Sequence, residues 1–219
     1  DEGKDVALVS DAGTPLVSDP GERLVAAVAA AGHRVEAVPG ASALLSALTV
    51  AGFRTERVLF LGFLPRKAGA RRKLLESQIG RPETVVLFES PHRVAKTLCD
   101  VVDVLGDRGA CLARELTKRH EEVLRGLASE LAAALAEAPP KGECTLVIEG
   151  ASEQEALDAV AWSDAEVDRA LEERLAAGAS VKDAAADLAG RTGRARRALY
   201  ARAIELREGK TSTDGSDAT

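Results

Sequence analysis

Over the first 150 residues, apolar positions alternate between short continuous runs and longer stretches with helical spacing. VALV at 6–9 and the segment Val35 to Val38 read as buried strands, each stopped by turn residues. GERLVAAVAAA at 21–31 and the stretch 42–51 read as helices, closed by Gly32 and Gly52. Strand, turn and helix therefore occur twice, the pattern of a parallel sheet covered by helices. Two strands do not make such a sheet, and the chain contains no Met. The expectation is that further strands precede residue 1.

A second unit follows, with strands predicted at 58–64 (VLFLGFL), 84–89 (TVVLFE), 110–116 (ACLAREL), 121–126 (EEVLRG) and 144–150 (CTLVIEG). Helices are expected at about 68–79, from SPHR to about 105 before Gly106, and at 129–138 with Ser129 as N-cap. Strand signals stop after Gly150. Ser163 and Ser180 are placed to cap helices at 164–177 and 181–189, and a third helix is predicted over 193–207. A short helix, a Gly-containing turn and a basic second helix have the layout of a helix-turn-helix. The closing GKTSTDGSDAT has the composition of a disordered tail. The expected division is 1–53, the remainder of an N-terminal α/β domain; 54–151, a second α/β domain; 160–208, a helical extension; and 209–219, a tail.

With 46% hydrophobic and 29% charged residues, the chain is globular in composition. No apolar run reaches the roughly 20 residues of a membrane span, and there is no signal-peptide pattern. Cys99, Cys111 and Cys144 lie apart in apolar stretches without CxxC spacing, so they are expected as buried, reduced thiols of a cytoplasmic protein. His33, His92 and His120 are equally scattered, and no metal site is expected. The net charge of −6 hides two basic segments. Arg66, Lys67, Arg71, Arg72 and Lys73 have no acid among them, and Arg191, Arg194, Arg196, Arg197, Arg202 and Arg207 face only Glu205. Local charge of this kind is compatible with a nucleic-acid partner; the alternative for the first is a solvated helix face.

The loops after the predicted strands carry the chemistry. In VSDAGTPLVSDPG, Gly13 permits close approach and positive φ, Asp11 and Thr14 offer oxygens, and Pro15 stiffens the exit. An ordinary connection needs only two to six residues. The spacing matches neither GxGxxG nor GxxxxGK[ST], so a phosphate cradle is not indicated. In VPGAS, Ser42 is either a helix N-cap or a hydroxyl facing the same cleft. FESPHR places Glu89, Ser90, His92 and Arg93 at a strand end, and ARELTK places ionic residues at another.

SDAGTPLVSDPG, VPGASALLSAL, GFLPRK…RR, FESPHR, ARELTK and KGECTLVIEG, in this order, resemble the bacterial small-subunit ribosomal RNA cytidine 2'-O-methyltransferases of the tetrapyrrole methylase-like superfamily. The resemblance covers about 5–150, and the helices after 160 are similar to that family's C-terminal extension. It implies two α/β domains with S-adenosylmethionine in the cleft between them, the truncated 1–53 being the cofactor-binding one, plus a helix-turn-helix-like unit. It also implies methylation of a ribose 2'-hydroxyl of cytidine in 16S rRNA or the 30S subunit, and a homodimer. The implied cofactor residues are Asp11, Ala12, Gly13, Thr14, Val17, Ser42, Ala43, Glu89, Leu116 and Thr145. The family's N-terminal TPIGNLxDI-like and AEDTR segments have no counterpart here.

A ribose hydroxyl is a poor acid, so a base, or a cation for the developing alkoxide, is expected. Glu89, Glu115 and Lys118 are the candidates, with Asp19 weaker. Their alternatives are ion pairs, Glu115 with Lys118 and Arg114 with Glu89. Arg66, Lys67, Arg71, Arg72, His92 and Arg93 are the expected RNA contacts. The low aromatic content, 3%, favours recognition of backbone and shape. The Arg-rich last helix either grips rRNA or docks on the body. The competing readings are a tetrapyrrole C-methyltransferase of the same superfamily and a non-enzymatic nucleic-acid-binding module.

Overall fold

A computed structural model describes residues 3–11, 13–156 and 162–213, with side chains described as far as 208. Five strands form one mixed sheet: β1 (Val58–Phe63), β2 (Thr84–Glu89), β3 (Gly109–Arg114), β4 (Glu122–Leu127) and β5 (Cys144–Ile148). Their spatial order is β1-β2-β5-β3-β4. β1 and β2 are parallel; β5 enters between β2 and β3, antiparallel to both. The two-residue period of a strand sends Val85, Leu87, Ala110, Leu112, Leu146 and Ile148 to one face, where Leu75, Leu98, Val101, Leu105 and Leu131 complete a core. These come from α3 (Ala68–Glu76), α4 (Val94–Leu105) and α5 (Ala128–Glu137). Val86, Cys111, Ala113 and Val147 face the other way, against Ala47 and Ala51 of α2 (Ala43–Ala51). Burial on both faces explains why these strands read as unbroken apolar runs. Arg125 of β4 fastens α2 by donating to the Val50 carbonyl, 2.8 Å from Nε.

The two strands expected before residue 40 do not form. Residues 6–9 and 35–38 have no ladder partner among the described residues. Val6, Val9 and Val38 stand 80–89% exposed. β-propensity measures packing against neighbouring strands and faces, and neither segment has such a neighbour. α1 (Glu22–Ala30) buries no side chain, and no described residue before Ala47 is buried. The first region thus contributes helices and loops, with its packing onto the sheet made through α2.

Ser129 is not an N-cap. It lies inside the first turn of α5, where its amide and hydroxyl donate to the Asp107 carboxylate at 2.9 and 2.6 Å. Asp107, in the turn after α4, takes the capping role from a distance. Ser129's hydroxyl, then its amide, hold that carboxyl below its usual range. Beyond residue 162 lie α6 (Asp164–Ala176), α7 (Val181–Thr192) and α8 (Arg196–Thr213). They pack around a core of their own, including Val167, Leu171, Leu188, Leu199 and Ala203. Ser163 and Ser180 do cap α6 and α7, accepting from the amides of Glu166 and Asp183. Gly193, at φ +67, makes the left-handed turn into α8. α8 continues to Thr213, past the expected start of the tail at 209, and residues 214–219 lie outside the described residues.

Candidate active site

Strand register brings the ionic loops together. Cys144, the first residue of β5, pairs with Glu89 on one side and Arg114 on the other. The ends of β2 and β3 and the start of β5 therefore share one edge of the sheet. Segments 88–91, 113–118 and 142–145 form one wall of a cleft of about 400 Å³, and 13–19 and 41–46 form the other. Thr14 ties the second wall together by donating from Oγ1 to the Ala41 carbonyl at 3.1 Å. Gly13 holds φ +73 there, and a Cβ on it would meet the Ala41 carbonyl at 3.7 Å. Gly62 takes φ +59 where the β1 register shifts, and a Cβ on it would meet Ser18 Oγ at 3.5 Å. Phe63 and Phe88, packed edge to face at 5.7 Å between ring centres, supply an apolar patch.

Among the expected cofactor residues, the cleft is lined by Gly13, Thr14, Val17, Ser42, Ala43, Glu89, Leu116 and Thr145. Asp11 is exposed and off the wall. Ala12 lies outside the described residues. Ser42 fills both roles held open for it, accepting from the Leu45 amide at 3.4 Å while lining the cleft. Asp19 lines it too, as do Ser46, Phe63, Phe88, Gly142 and Glu143, which fall within the quoted motifs but were not among the expected site residues. Among the described residues, the non-glycine positions with positive φ are Leu16, Ser18, Glu115 and Thr117. All four belong to the 13–19 and 113–118 segments, on opposite walls of the cleft. Left-handed backbone at such residues costs of order 1 kcal/mol or more each and gathers at functional sites.

The three candidate ionic residues differ in what their side chains do. Glu89 is buried and saturated: Oε1 accepts from the Ser90 amide at 2.8 Å, and Oε2 from Thr97 Oγ1 at 2.7 Å. Arg93 lies 3.1 Å from the same Oε2. That carboxylate is a fixture of the wall, so the ion pair expected between Arg114 and Glu89 is replaced by Arg93–Glu89, and Arg114 pairs with Glu122 at 2.6 Å. Glu115 Oε1 accepts from the Glu143 amide at 2.9 Å and from Lys118 Nζ at 3.3 Å. Its Oε2 has no hydrogen-bond partner among the described residues. The Glu143 amide, with Lys118 second, holds the Glu115 carboxyl below its usual range. Lys118 also reaches Glu143 at 2.9 Å, and that carboxylate, with Glu115 second, raises its pKa, so it is firmly protonated. The cleft thus presents one fixed cation between two carboxylates.

The expected RNA contacts divide. Arg71 is buried, with Nε 2.6 Å from Asp100, and Arg72 pairs with both Asp100 and Asp103. Both acids belong to α4, about thirty residues away, which no local count of charge reveals. Arg93 donates to the Leu64 and Pro65 carbonyls at 2.9 and 3.2 Å besides pairing with Glu89. These three guanidiniums are engaged by acids or carbonyls of the fold, Arg71 buried and Arg72 at the surface of the α3–α4 junction. Arg66, Lys67 and His92 remain exposed.

Cys111 and Cys144 are buried, but Cys99 is exposed on α4, against expectation; all three are free thiols. Burial pushes Cys144, on the cleft wall, up to about 11. Among the described residues no group of three His, Cys, Asp or Glu is placed to hold a metal ion, and no helix is long and apolar enough to cross a membrane.

A cleft at a sheet edge, built from a glycine loop on one side and strand-end loops on the other, defines a class. Residues 1–132 match the family model described as Tetrapyrrole (Corrin/Porphyrin) Methylases, and the chain belongs to that family. Residues 162–207 match the model described as RsmI C-terminal HTH domain. Within the family the chain is similar to proteins named ribosomal RNA small subunit methyltransferase I. It is 49% identical to that of Micromonospora olivasterospora over 80% of this chain and 53% of the relative. It is 42% identical to that of Synechocystis sp. over 93% of this chain and 72% of the relative. To that of Mesorhizobium japonicum it is 44% identical, over 97% and 71%. The chain therefore spans from about half to seven tenths of the length of these relatives.

Proposed function

We propose that the cleft binds S-adenosylmethionine and that the protein methylates the 2'-hydroxyl of a cytidine in 16S rRNA, on the 30S subunit, as a cytoplasmic homodimer. The observation that carries this reading is the convergence of 13–19, 41–46, 88–91, 113–118 and 142–145 on one cleft. The residues present suit the cofactor. About 400 Å³ is the size of a small-molecule site. Val17, Phe63, Phe88 and Leu116 offer apolar surface, Thr14, Ser42 and Ser46 offer hydroxyls, and the carboxylates of Glu115 and Glu143 favour a cationic ligand.

When bound, the cofactor supplies a methyl group on a good leaving group. What remains for the chain is alignment of the ribose oxygen and management of its proton. Lys118, protonated and held by Glu115 and Glu143, stabilises the developing alkoxide. Glu115 Oε2 takes the proton as the carbon–oxygen bond forms, and returns it to solvent. A carboxylate held this acidic is a weak base, so Lys118 bears the larger share. Glu89 acts through position, fixing the β2 end and Arg93. Arg66, Lys67 and His92, which are exposed, are assigned to RNA phosphates.

The test is transfer of labelled methyl from S-adenosylmethionine to 30S subunits, with the modified ribose mapped. Lys118→Ala is expected to lower turnover about a hundredfold while cofactor affinity changes only a few-fold. Label appearing on a tetrapyrrole substrate and never on RNA would overturn the reading.

A further inference from the structure

In the helical unit nearly every arginine with an acid in reach is paired. Arg174 and Arg191 share Asp187, and Arg191 also lies over the Trp162 ring at 5.1 Å. Arg194 meets Asp164 and the Trp162 carbonyl, and Arg202 meets Asp168 and Glu205. Arg169 of α6 makes no ion pair among the described residues but lies near enough to Glu166 to favour its charged form. Arg196 and Arg197, the first residues of α8, likewise pair with no acid among the described residues and sit side by side. Tyr200, the chain's one tyrosine, follows at the i+3 and i+4 spacing that puts it on their face of the helix. It is 43% exposed, whereas Leu199 and Ala203 beside it are buried in the bundle core. Two guanidiniums without a paired acid and a ring left 43% exposed put cationic and aromatic surface on one face of the helix, open to a partner.

We propose that Arg196, Arg197 and Tyr200 form a second RNA-contact surface that takes a single-stranded segment, one base stacked on Tyr200 and flanking phosphates on the two arginines. This rests on the rRNA reading above and adds a contact remote in sequence from the cleft loops. Single-stranded RNA is the occupant because stacking needs a free base face, which a duplex does not offer. Charge supports the same choice. Further along α8, Glu205 and Glu208 are exposed. A helix laid lengthwise in a groove would press them against phosphates; a strand crossing only its first turns avoids them.

The experiment measures binding of the full chain to a labelled single-stranded oligouridylate, and to an RNA duplex of equal length, across a KCl series. The double variant Arg196→Ala/Arg197→Ala is expected to reduce the salt slope for oligouridylate by about 1.4, for two lost phosphates. Tyr200→Ala is expected to weaken oligouridylate binding roughly 5- to 150-fold with the slope unchanged. Tyr200→Phe should bind as the parent does, and the duplex should not distinguish Tyr200→Ala from the parent. No binding of oligouridylate by the parent chain, an unaltered slope in the double variant, or parent affinity in Tyr200→Ala overturns the proposal. Methyl transfer to 30S subunits, run in parallel, separates it from the enzymatic reading: binding effects without transfer would sink that reading and leave this surface, and transfer with unaffected binding would do the reverse.

Discussion

Gly142 is the residue on which the charged wall of the cleft depends most directly. Its φ is +85, and a Cβ there would land on the Glu115 carboxylate. Gly142→Ala is therefore expected to push Glu115 off the Glu143 amide and loosen Lys118. Isothermal titration with S-adenosylhomocysteine should show cofactor affinity reduced about tenfold or more, with the sheet intact by circular dichroism. Nothing in KGE, taken as letters, points to this; the glycine reads as one more turn residue until Glu115 is seen beneath it. The same limit applies to Arg71 and Arg72. Their basic run has no acid within it, and a sequence count leaves them free, while folding delivers Asp100 and Asp103 from the facing helix. By contrast Gly13 and Thr14 were legible, because a loop so rich in turn residues and oxygens is longer than an ordinary connection needs. Ser42 was legible only as one of two roles, since a hydroxyl at a helix start caps it whether or not it faces a cleft.

Between elements, the junction of α3 and α4 turns on Asp100. It is 4% exposed and faces the equally buried Arg71. Asp100→Ala leaves that guanidinium buried without a counter-charge, and the expected loss is about 3–5 kcal/mol, read as a lowered urea midpoint. The helical unit offers a pH test. Asp168, through its bond to Arg202, and Glu166, through Ser163, both lie below their ordinary values of 3.8 and 4.5. A carboxylate whose folded pKa is depressed stabilises the fold above its unfolded value and loses that contribution as pH falls through the lower folded one. The thermal midpoint should thus be flat from neutrality to about pH 5 and fall below about pH 4. Asp168→Asn should lower the neutral-pH midpoint and shrink that acid fall. Strand positions from 58 onward were legible to within a residue or two, and for β2, β3 and β5 because burial on both faces writes a continuous apolar run. Their spatial order was not: apolar runs carry no direction, and the insertion of β5 between β2 and β3 is decided by pairing alone.

Across the whole molecule, burial is uneven, and this has a measurable consequence. The sheet core draws on residues from Ala47 to Ile148, and a second core lies in α6–α8. Before Ala47 no described residue is buried, α1 included. VALV and the 35–38 segment have the composition of core strands, yet a strand exists only through its neighbours, so composition alone overstated them. Local opening costs little where few apolar contacts must break. Amides of α1 are therefore expected to exchange with solvent orders of magnitude faster than those of β2, β3 and β5. The loops 13–19 and 41–46 belong to this weakly held region but form one wall of the cleft, joined by the Thr14–Ala41 bond. A ligand spanning both walls would couple them to the rigid sheet edge at Cys144 and Thr145, so S-adenosylhomocysteine should slow exchange at 13–19, 41–46 and 113–118 together and leave α1 and α6–α8 unchanged. Thr14→Val should weaken that protection in both N-terminal loops at once. Protection confined to the sheet side would mean that the glycine loop does not hold the cofactor.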